Sequence, residues 1–137
     1  MPQALFLGEL LIRLNPPGHE RFLQARSFDI GYTGAEANAA VSLAQLGIET
    51  GLISAVPQHD LGQACLNHFR RYGVGTGHIL RRDGRLGIFY IEAGASQRAS
   101  NVIYDRTGAV FSELKAGDFD WSTLLSGAAW LHWSGTA

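Results

Sequence analysis

The apolar run from Thr50 to Val56 limits the possible folds more than any other segment of the chain. Its length fits a β-strand, yet it lacks the polar–apolar alternation of a strand that has one face in water. A strand of this kind needs other elements on both of its faces. A helical pattern from about Glu36 to Leu46 precedes the run and a second begins near Asp60, so such cover is available.

Both neighbouring segments have the spacing of helices. In the second, Asp60 is expected to cap the helix and Gln63 to complete a capping box. A short apolar strand, Ala4–Gly8, precedes both, and the order strand, helix, strand, helix predicts an α/β layer with parallel pairing. In the first helix, Gly47 suits the position after the C-cap, and small apolar residues recur on one face at Ala37, Ala40, Val41 and Ala44.

The remaining segments predict further strands and a break in the alternating pattern. Asp83-Gly84 is a hairpin-turn signal, and the β-rich segments after it indicate antiparallel strands beside the α/β layer. Asp118–Leu125 predicts a short helix, and Ala128–Trp133 predicts a buried strand. Such a strand needs a crossover helix after it, so we expect the front portion of a larger protein. The other predicted strands are Leu10–Leu14, Phe28–Tyr32, Leu86–Glu92 and Asn101–Asp105.

Composition excludes several function classes. The chain is 46% hydrophobic and 17% charged with a net charge of −1, so it has no basic field for nucleic acid. No apolar run approaches the roughly 20 residues that span a membrane. The single Cys65 and the absence of a signal-peptide pattern favour a cytoplasmic protein. The histidines share no metal-ligand spacing, so no metal site is expected.

A glycine turn from Tyr32 to Asn38 is the strongest candidate for a ligand site. Gly34 allows close approach of the backbone to a ligand, and the helix that follows presents unpaired N–H groups. Asn38 lies in the first helical turn, where its amide can donate and accept. Taken alone, the same pattern also fits an ordinary turn with a solvated asparagine.

This turn begins a longer pattern that reads Gly34-Ala35-Glu36-Ala37-Asn38-Ala39-Ala40 and then Leu43-Ala44-Gln45-Leu46-Gly47. The pattern closely resembles the N-terminal signature of the ribokinase-like (PfkB) carbohydrate kinases. Other segments make the chain similar to the 2-keto-3-deoxygluconate kinase branch, and the resemblance covers nearly the whole chain. They include Gly8-Glu9, Asn15-Pro16-Pro17-Gly18, Ser27-Phe28-Asp29, Arg85-Leu86-Gly87, Tyr104-Asp105-Arg106 and Trp130-Leu131-His132-Trp133-Ser134-Gly135.

The resemblance implies an α/β, ribokinase-like fold, truncated here: a mainly parallel sheet flanked by helices, with a small antiparallel β lid. Residues 1–137 would be the N-terminal part of such a domain, with lid strands in about 10–33 and 86–112. The implied activity is ATP-dependent phosphoryl transfer to a hydroxyl of a sugar acid, with Mg²⁺. The implied partner is that small molecule, and copies of the chain are expected to associate through the lid.

The resemblance also assigns the substrate-binding residues. Gly34 would offer its backbone N–H with Ala35 beside it, and Asn38 would hold the polar end of the substrate. Phe89 matches an aromatic position of the lid, while Tyr104 and Arg106 match residues that face the sugar acid. A guanidinium fork suits a carboxylate because it pairs with both oxygens.

The chain departs from the family pattern in three places. Thr33 stands where the family has another glycine, and Phe89 stands where the family often has a tyrosine. The adjacent Tyr90 cannot take the place of that tyrosine, because neighbouring strand residues face opposite sides of a sheet. The Gly-Ala-Gly-Asp motif that carries the family's catalytic base is absent. Lys115-Ala116-Gly117-Asp118 lacks the first glycine, so Asp118 is interpreted as a turn or N-cap residue. We therefore expect no catalytic residue, no bound ATP or Mg²⁺ and no kinase activity in this chain alone.

Two alternatives to a sugar-acid kinase stay open. One is a truncated, non-catalytic binding module. The other is a kinase for a neutral sugar or nucleoside, for which Arg106 discriminates because a neutral substrate has no carboxylate.

Overall fold

The structure is a computed structural model that describes residues 4–135, in which two four-stranded sheets lie beside three helices. No helix of this part is long and apolar enough to cross a membrane. The helices are α1 (Ala35–Gln45), α2 (Asp60–Arg71) and α3 (Trp121–Leu125). The strands are β1 (Ala4–Leu7), β2 (Leu11–Asn15), β3 (Asp29–Thr33), β4 (Thr50–Pro57), β5 (Gly75–Arg82), β6 (Gly87–Glu92), β7 (Asn101–Asp105) and β8 (Trp130–His132).

The first sheet, called the parallel sheet below, has the order β5-β4-β1-β8 with every pair parallel. Strand β4 is buried along its whole length, as its apolar sequence predicts. On one face, Phe6 and Leu52 pack in a core that includes Ala40 of α1 and Phe69 of α2. Burial of a side chain such as Phe69 contributes about 1.5–3 kcal/mol to stability.

The opposite face of the parallel sheet has a smaller core. Leu5 and Ile53 point to this side because neighbouring strand residues alternate between faces. Leu124 of α3 packs against them. Helices therefore lie on both faces, which agrees with the predicted α/β layer.

The second sheet, called the mixed sheet below, has the order β3-β2-β6-β7. Its outer pairs are antiparallel, as expected for a lid, but the central pair of β2 and β6 is parallel. The physical reason is the route of the chain. Strands β2 and β6 each follow directly from a strand of the parallel sheet, so both enter the mixed sheet in the same direction.

Three sequence expectations about the junctions are wrong. Asp83-Gly84 does not close a hairpin, because β5 belongs to the parallel sheet and β6 to the mixed sheet. Asp60 does not cap α2: the N-cap is His59, without a side-chain cap. Gln63 instead donates to Asn67 and accepts from Arg81, so there is no capping box.

Strands β5 and β8 also differ from the expectation. Strand β5 was not predicted, and β8 lies at the edge of the parallel sheet rather than buried within it. Trp130 on β8 is 72% exposed, and β8 pairs only with β1 within residues 4–135.

Candidate functional site

A cleft lies where α1 begins beside the mixed sheet. Glu9 lies just before β2, Thr33 at the end of β3, and Arg106 just after β7. Chain segments far apart in sequence therefore meet at one place. The cleft is lined by Glu9, Leu11, Thr33, Gly34, Ala35, Glu36, Phe89, Tyr104 and Arg106.

Gly34 stands at the N-cap of α1, where a side chain would not fit. A Cβ there would lie 2.5 Å from the backbone oxygen of Glu9 and 3.3 Å from Cβ of Ala37. The backbone of α1 therefore comes close to the Glu9 segment, and the first N–H groups of the helix have no intrahelical acceptors. Gly34 and Ala35 both line the cleft.

Asn38 is the predicted site residue that the structure does not bring into the cleft lining. Its side-chain amide donates to Oγ1 of Thr33 at 3.2 Å, and the Thr33 hydroxyl lies 3.3 Å from its Oδ1. The threonine that replaces a family glycine therefore engages the amide directly. Thr33 itself lines the cleft, so the departure changes the polar groups available there.

Phe89 and Tyr104 form an aromatic wall of the cleft. They are directly opposite each other on β6 and β7, and their ring centroids are 5.4 Å apart. Tyr90, the next residue of β6, packs in a different aromatic group with Phe22 and Phe28. Tyr90 therefore lies on the other face of the mixed sheet, as strand alternation requires.

Arg106 forms an ion pair with Glu9, which the sequence analysis did not predict. Arg106 donates from Nε at 2.9 Å and from Nη2 at 2.5 Å to the same oxygen, Oε2 of Glu9. Its guanidinium carbon lies 5.8 Å from the centre of the Tyr104 ring, within cation–π range. Glu9 is 7% exposed, so this is a largely desolvated carboxylate held by one arginine.

A second buried carboxylate, Glu36, joins the beginning of α1 to the segment after β8. Glu36 is 2% exposed and accepts hydrogen bonds from the backbone N–H of Ser134 at 3.1 Å and from its hydroxyl. A Cβ on Gly8 would overlap the Glu36 carboxylate, so the glycine makes room for it. Both glutamates lie inside segments that carry the family resemblance, which was the available signal for them.

Other candidate groups lie outside the cleft. Asp118 lies in a 3-10 turn and pairs with Arg82 at 3.0 Å. The hydrogen bond from Arg82 and another from the Lys115 backbone lower its pKa. Cys65 is fully buried, and burial raises the pKa of its thiol to about 12, so it stays protonated and unreactive.

The parallel α/β layer and the mixed sheet beside it together define a ribokinase-like fold, with the cleft at their junction. Comparison with known families makes the assignment specific. The model of the pfkB family of carbohydrate kinases matches residues 1–136, and the chain belongs to that family. The resemblance inferred from the sequence and the fold class that it implied are therefore confirmed.

Individual relatives are sugar kinases. The 2-dehydro-3-deoxygalactonokinase of Haloferax volcanii is 39% identical over 107 residues, which are 78% of this chain and 34% of that protein. The crystal structure of 2-dehydro-3-deoxygluconokinase from Thermotoga maritima has 46% identity and a TM-score of 0.94, over 98% of this chain and 41% of that one. A PfkB family carbohydrate kinase from Listeria grayi has 39% identity and a TM-score of 0.92, over 97% and 42%. The chain thus spans well under half the length of these relatives.

Proposed function

We propose that the whole protein is an ATP-dependent kinase for a sugar acid of the 2-keto-3-deoxygluconate type, and that this chain supplies its substrate-binding part. The observation that carries the proposal is the convergence of Gly34, Phe89, Tyr104 and Arg106 on one cleft. The names of the Haloferax and Thermotoga relatives support the same substrate class.

In this proposal each group of the cleft has a separate task. The backbone at Gly34 and Ala35 binds polar substrate atoms, while the rings of Phe89 and Tyr104 cover the carbon skeleton and exclude water. The guanidinium of Arg106 orients the carboxylate through paired N–H donors. Asn38 supports the turn through Thr33 and acts on the substrate only indirectly.

ATP and Mg²⁺ belong to the reaction of the whole protein. Residues 4–135 contain no group of three His, Cys, Asp or Glu side chains that could hold a metal ion. The carboxylates beside the cleft are engaged by Arg106 and Ser134, and the sequence has no phosphate-binding P-loop. The sequence offers no candidate for the catalytic base, so we expect the purified chain to phosphorylate no sugar acid when ATP and Mg²⁺ are supplied. Formation of ADP in step with a sugar phosphate would contradict this expectation.

The test is calorimetric titration of the chain with 2-keto-3-deoxygluconate. Replacement of Arg106→Ala removes a charged two-donor contact, so affinity should fall about tenfold to a hundredfold. Arg106→Lys keeps the charge without the fork and should restore only part of the loss. Arg85→Ala is the matched control, because Arg85 pairs with Asp105 at 3.0 Å and does not line the cleft. Equal affinities of the Arg106 and Arg85 variants would refute the carboxylate role.

A neutral sugar or nucleoside is the second candidate substrate. The observation in its favour is that the Glu9 carboxylate already balances the charge of Arg106. The same titrations with a neutral pentose and a nucleoside decide between the two classes. Loss of the same factor for acid and neutral ligands on Arg106→Ala would favour the neutral class.

A truncated, non-catalytic binding module is the remaining candidate. Exposed apolar side chains would favour association of such a chain, and a monomer that melts cooperatively would count against this candidate. Trp130 and Trp133 are 72% and 61% exposed near the edge of the parallel sheet, and Ile103 is 48% exposed on the mixed sheet. Sedimentation velocity of surface variants shows which of the two surfaces forms the contact between copies of the chain. Association through the lid predicts that Ile103→Lys gives a monomer, whereas Trp130→Lys does so if the β8 edge is the contact.

A further inference from the structure

One oxygen of the buried Glu9 carboxylate lacks a protein partner among residues 4–135. Oε2 accepts both hydrogen bonds from Arg106, whereas Oε1 is buried without a hydrogen bond. Glu9 is 7% exposed, so bulk water does not compensate this oxygen well. Buried acceptors are nearly always paired with protein, ordered water or a ligand, so an unpaired carboxylate oxygen beside a cleft is a place where an added donor is favourable.

Two glycines leave room for Glu9, one beside its carboxylate and one beside its backbone. A Cβ on Gly87 would lie 2.6 Å from Oε1 of Glu9 and 2.7 Å from the side chain of Leu11. A Cβ on Gly34 would lie 2.5 Å from the backbone oxygen of the same glutamate. Glycines from two separate elements therefore make room for Glu9 at the wall of the cleft, where Phe89 and Tyr104 also lie.

The chemistry of this oxygen limits what can bind it. An ionised carboxylate only accepts hydrogen bonds, so its partner must be a donor. A substrate carboxylate is excluded from this position by like charge, whereas a sugar hydroxyl donates one hydrogen and carries no charge. The two oxygens of Glu9 therefore suit two different tasks within one cleft.

We propose that Glu9 is a substrate-specificity residue: Oε1 accepts a hydrogen bond from a substrate hydroxyl, while Oε2 holds the Arg106 guanidinium in position for the substrate's carboxylate. The substrate class is then a polyhydroxy acid whose carboxylate and one hydroxyl lie within reach of the same ion pair. This inference rests on the proposed sugar-acid site and adds a hydroxyl requirement to it.

The experiment is a cycle of protein and ligand changes measured by calorimetric titration of the 137-residue chain. The ligands are 2-keto-3-deoxygluconate and analogues that each lack one hydroxyl. Hydrogen bonds to a charged acceptor are stronger than those to a neutral amide, so Glu9→Gln should weaken the parent ligand about tenfold. The wild-type chain should lose a similar factor of affinity for the one analogue that lacks the hydroxyl bound by Glu9. For that analogue, Glu9→Gln should cause little further loss of affinity.

Glu92→Gln is the matched control. Glu92 is also 7% exposed, but its Oε1 accepts from the backbone N–H of Phe22 at 2.7 Å and it does not line the cleft. This variant should leave the affinity for every ligand within twofold of the wild type. Circular dichroism of both variants reports whether each one folds.

The outcomes are separable. If the wild-type chain binds no sugar acid, the proposed function fails together with this inference. If it binds the acid but Glu9→Gln weakens the parent and every analogue by one common factor, Glu9 only positions Arg106 and the hydroxyl contact is wrong. If Glu9→Gln does not fold, the affinities of the wild-type chain for the analogues decide alone. The inference is overturned if every analogue, each lacking one hydroxyl, binds as tightly as the parent ligand.

Discussion

Replacement of Gly34→Ala tests the close approach on which the cleft depends. The added Cβ would lie 2.5 Å from the Glu9 carbonyl oxygen, whereas ordinary contacts begin near 3.4 Å. The obstructing atom belongs to the backbone, so a side-chain rotation cannot relieve the contact. The φ angle of Gly34 is 169°, an extended value open to any residue, so the expected cost comes from crowding alone.

The magnitude follows from the required movement. Restoring ordinary contact moves α1 and the Glu9 segment apart by roughly 0.9 Å, in the range where overpacking costs about 1–3 kcal/mol. Lower entropy of the unfolded chain offsets about 0.4–1 kcal/mol of this cost. We therefore expect a net loss of about 1–2 kcal/mol in the free energy of unfolding. The displaced Glu9 also carries Arg106 with it, so affinity for a sugar acid should fall.

The measurement is urea denaturation followed by circular dichroism. With a slope of about 1–3 kcal/mol per molar urea, the midpoint should decrease by about 0.3–2 M. Gly77→Ala is the control, because a Cβ on Gly77 of β5 meets no atom within 4 Å. Its free energy of unfolding should stay within about 0.5 kcal/mol of the wild type. Equal midpoints for the two variants would refute the crowding argument.

Two further predictions concern the buried Cys65 and the half-buried His68. Cys65 should react with a disulfide reagent only after unfolding, and fast labelling of the native protein would contradict this. Because the pKa of its thiol in the folded protein is raised to about 12, the free energy of unfolding should fall as pH rises from about 9 toward 12. The rings of His68 and Tyr32 are tilted by 52° with their centroids 5.7 Å apart, and burial together with the charges of Arg71 and Arg13 lowers the pKa of His68. Its contribution to stability should be present above about pH 6.5 and lost as pH falls below that value, so His68→Gln should flatten the pH dependence of the urea midpoint.

The sequence predicted the elements whose local pattern matches their environment. The apolar run at Thr50–Val56 became β4, and the helical pattern after Gly34 became α1. Strand β5 was missed because Gly75 and Gly77 weaken its β-propensity. Its pairing with β4 and the anchoring of Arg81 to Pro57 at 2.9 Å make it a strand, and both are tertiary contacts.

In the candidate site, too, some features could be predicted from the sequence and others depended on tertiary contacts. The resemblance selected Gly34, Phe89, Tyr104 and Arg106, which all line one cleft, because family motifs preserve residue types. It also selected Asn38, which does not line the cleft and whose amide donates to Thr33. The roles of these residues in substrate binding stay predictions.

The sequence by itself determined the family, the α/β class and most of the residues that meet at the cleft. Only the tertiary structure decided which charges pair. Arg106 binds Glu9 across 97 positions of the chain, and Ser134 binds Glu36 across 98. The physical reason is that local pattern encodes burial and backbone conformation, whereas the partner of a buried charge depends on how distant segments pack together.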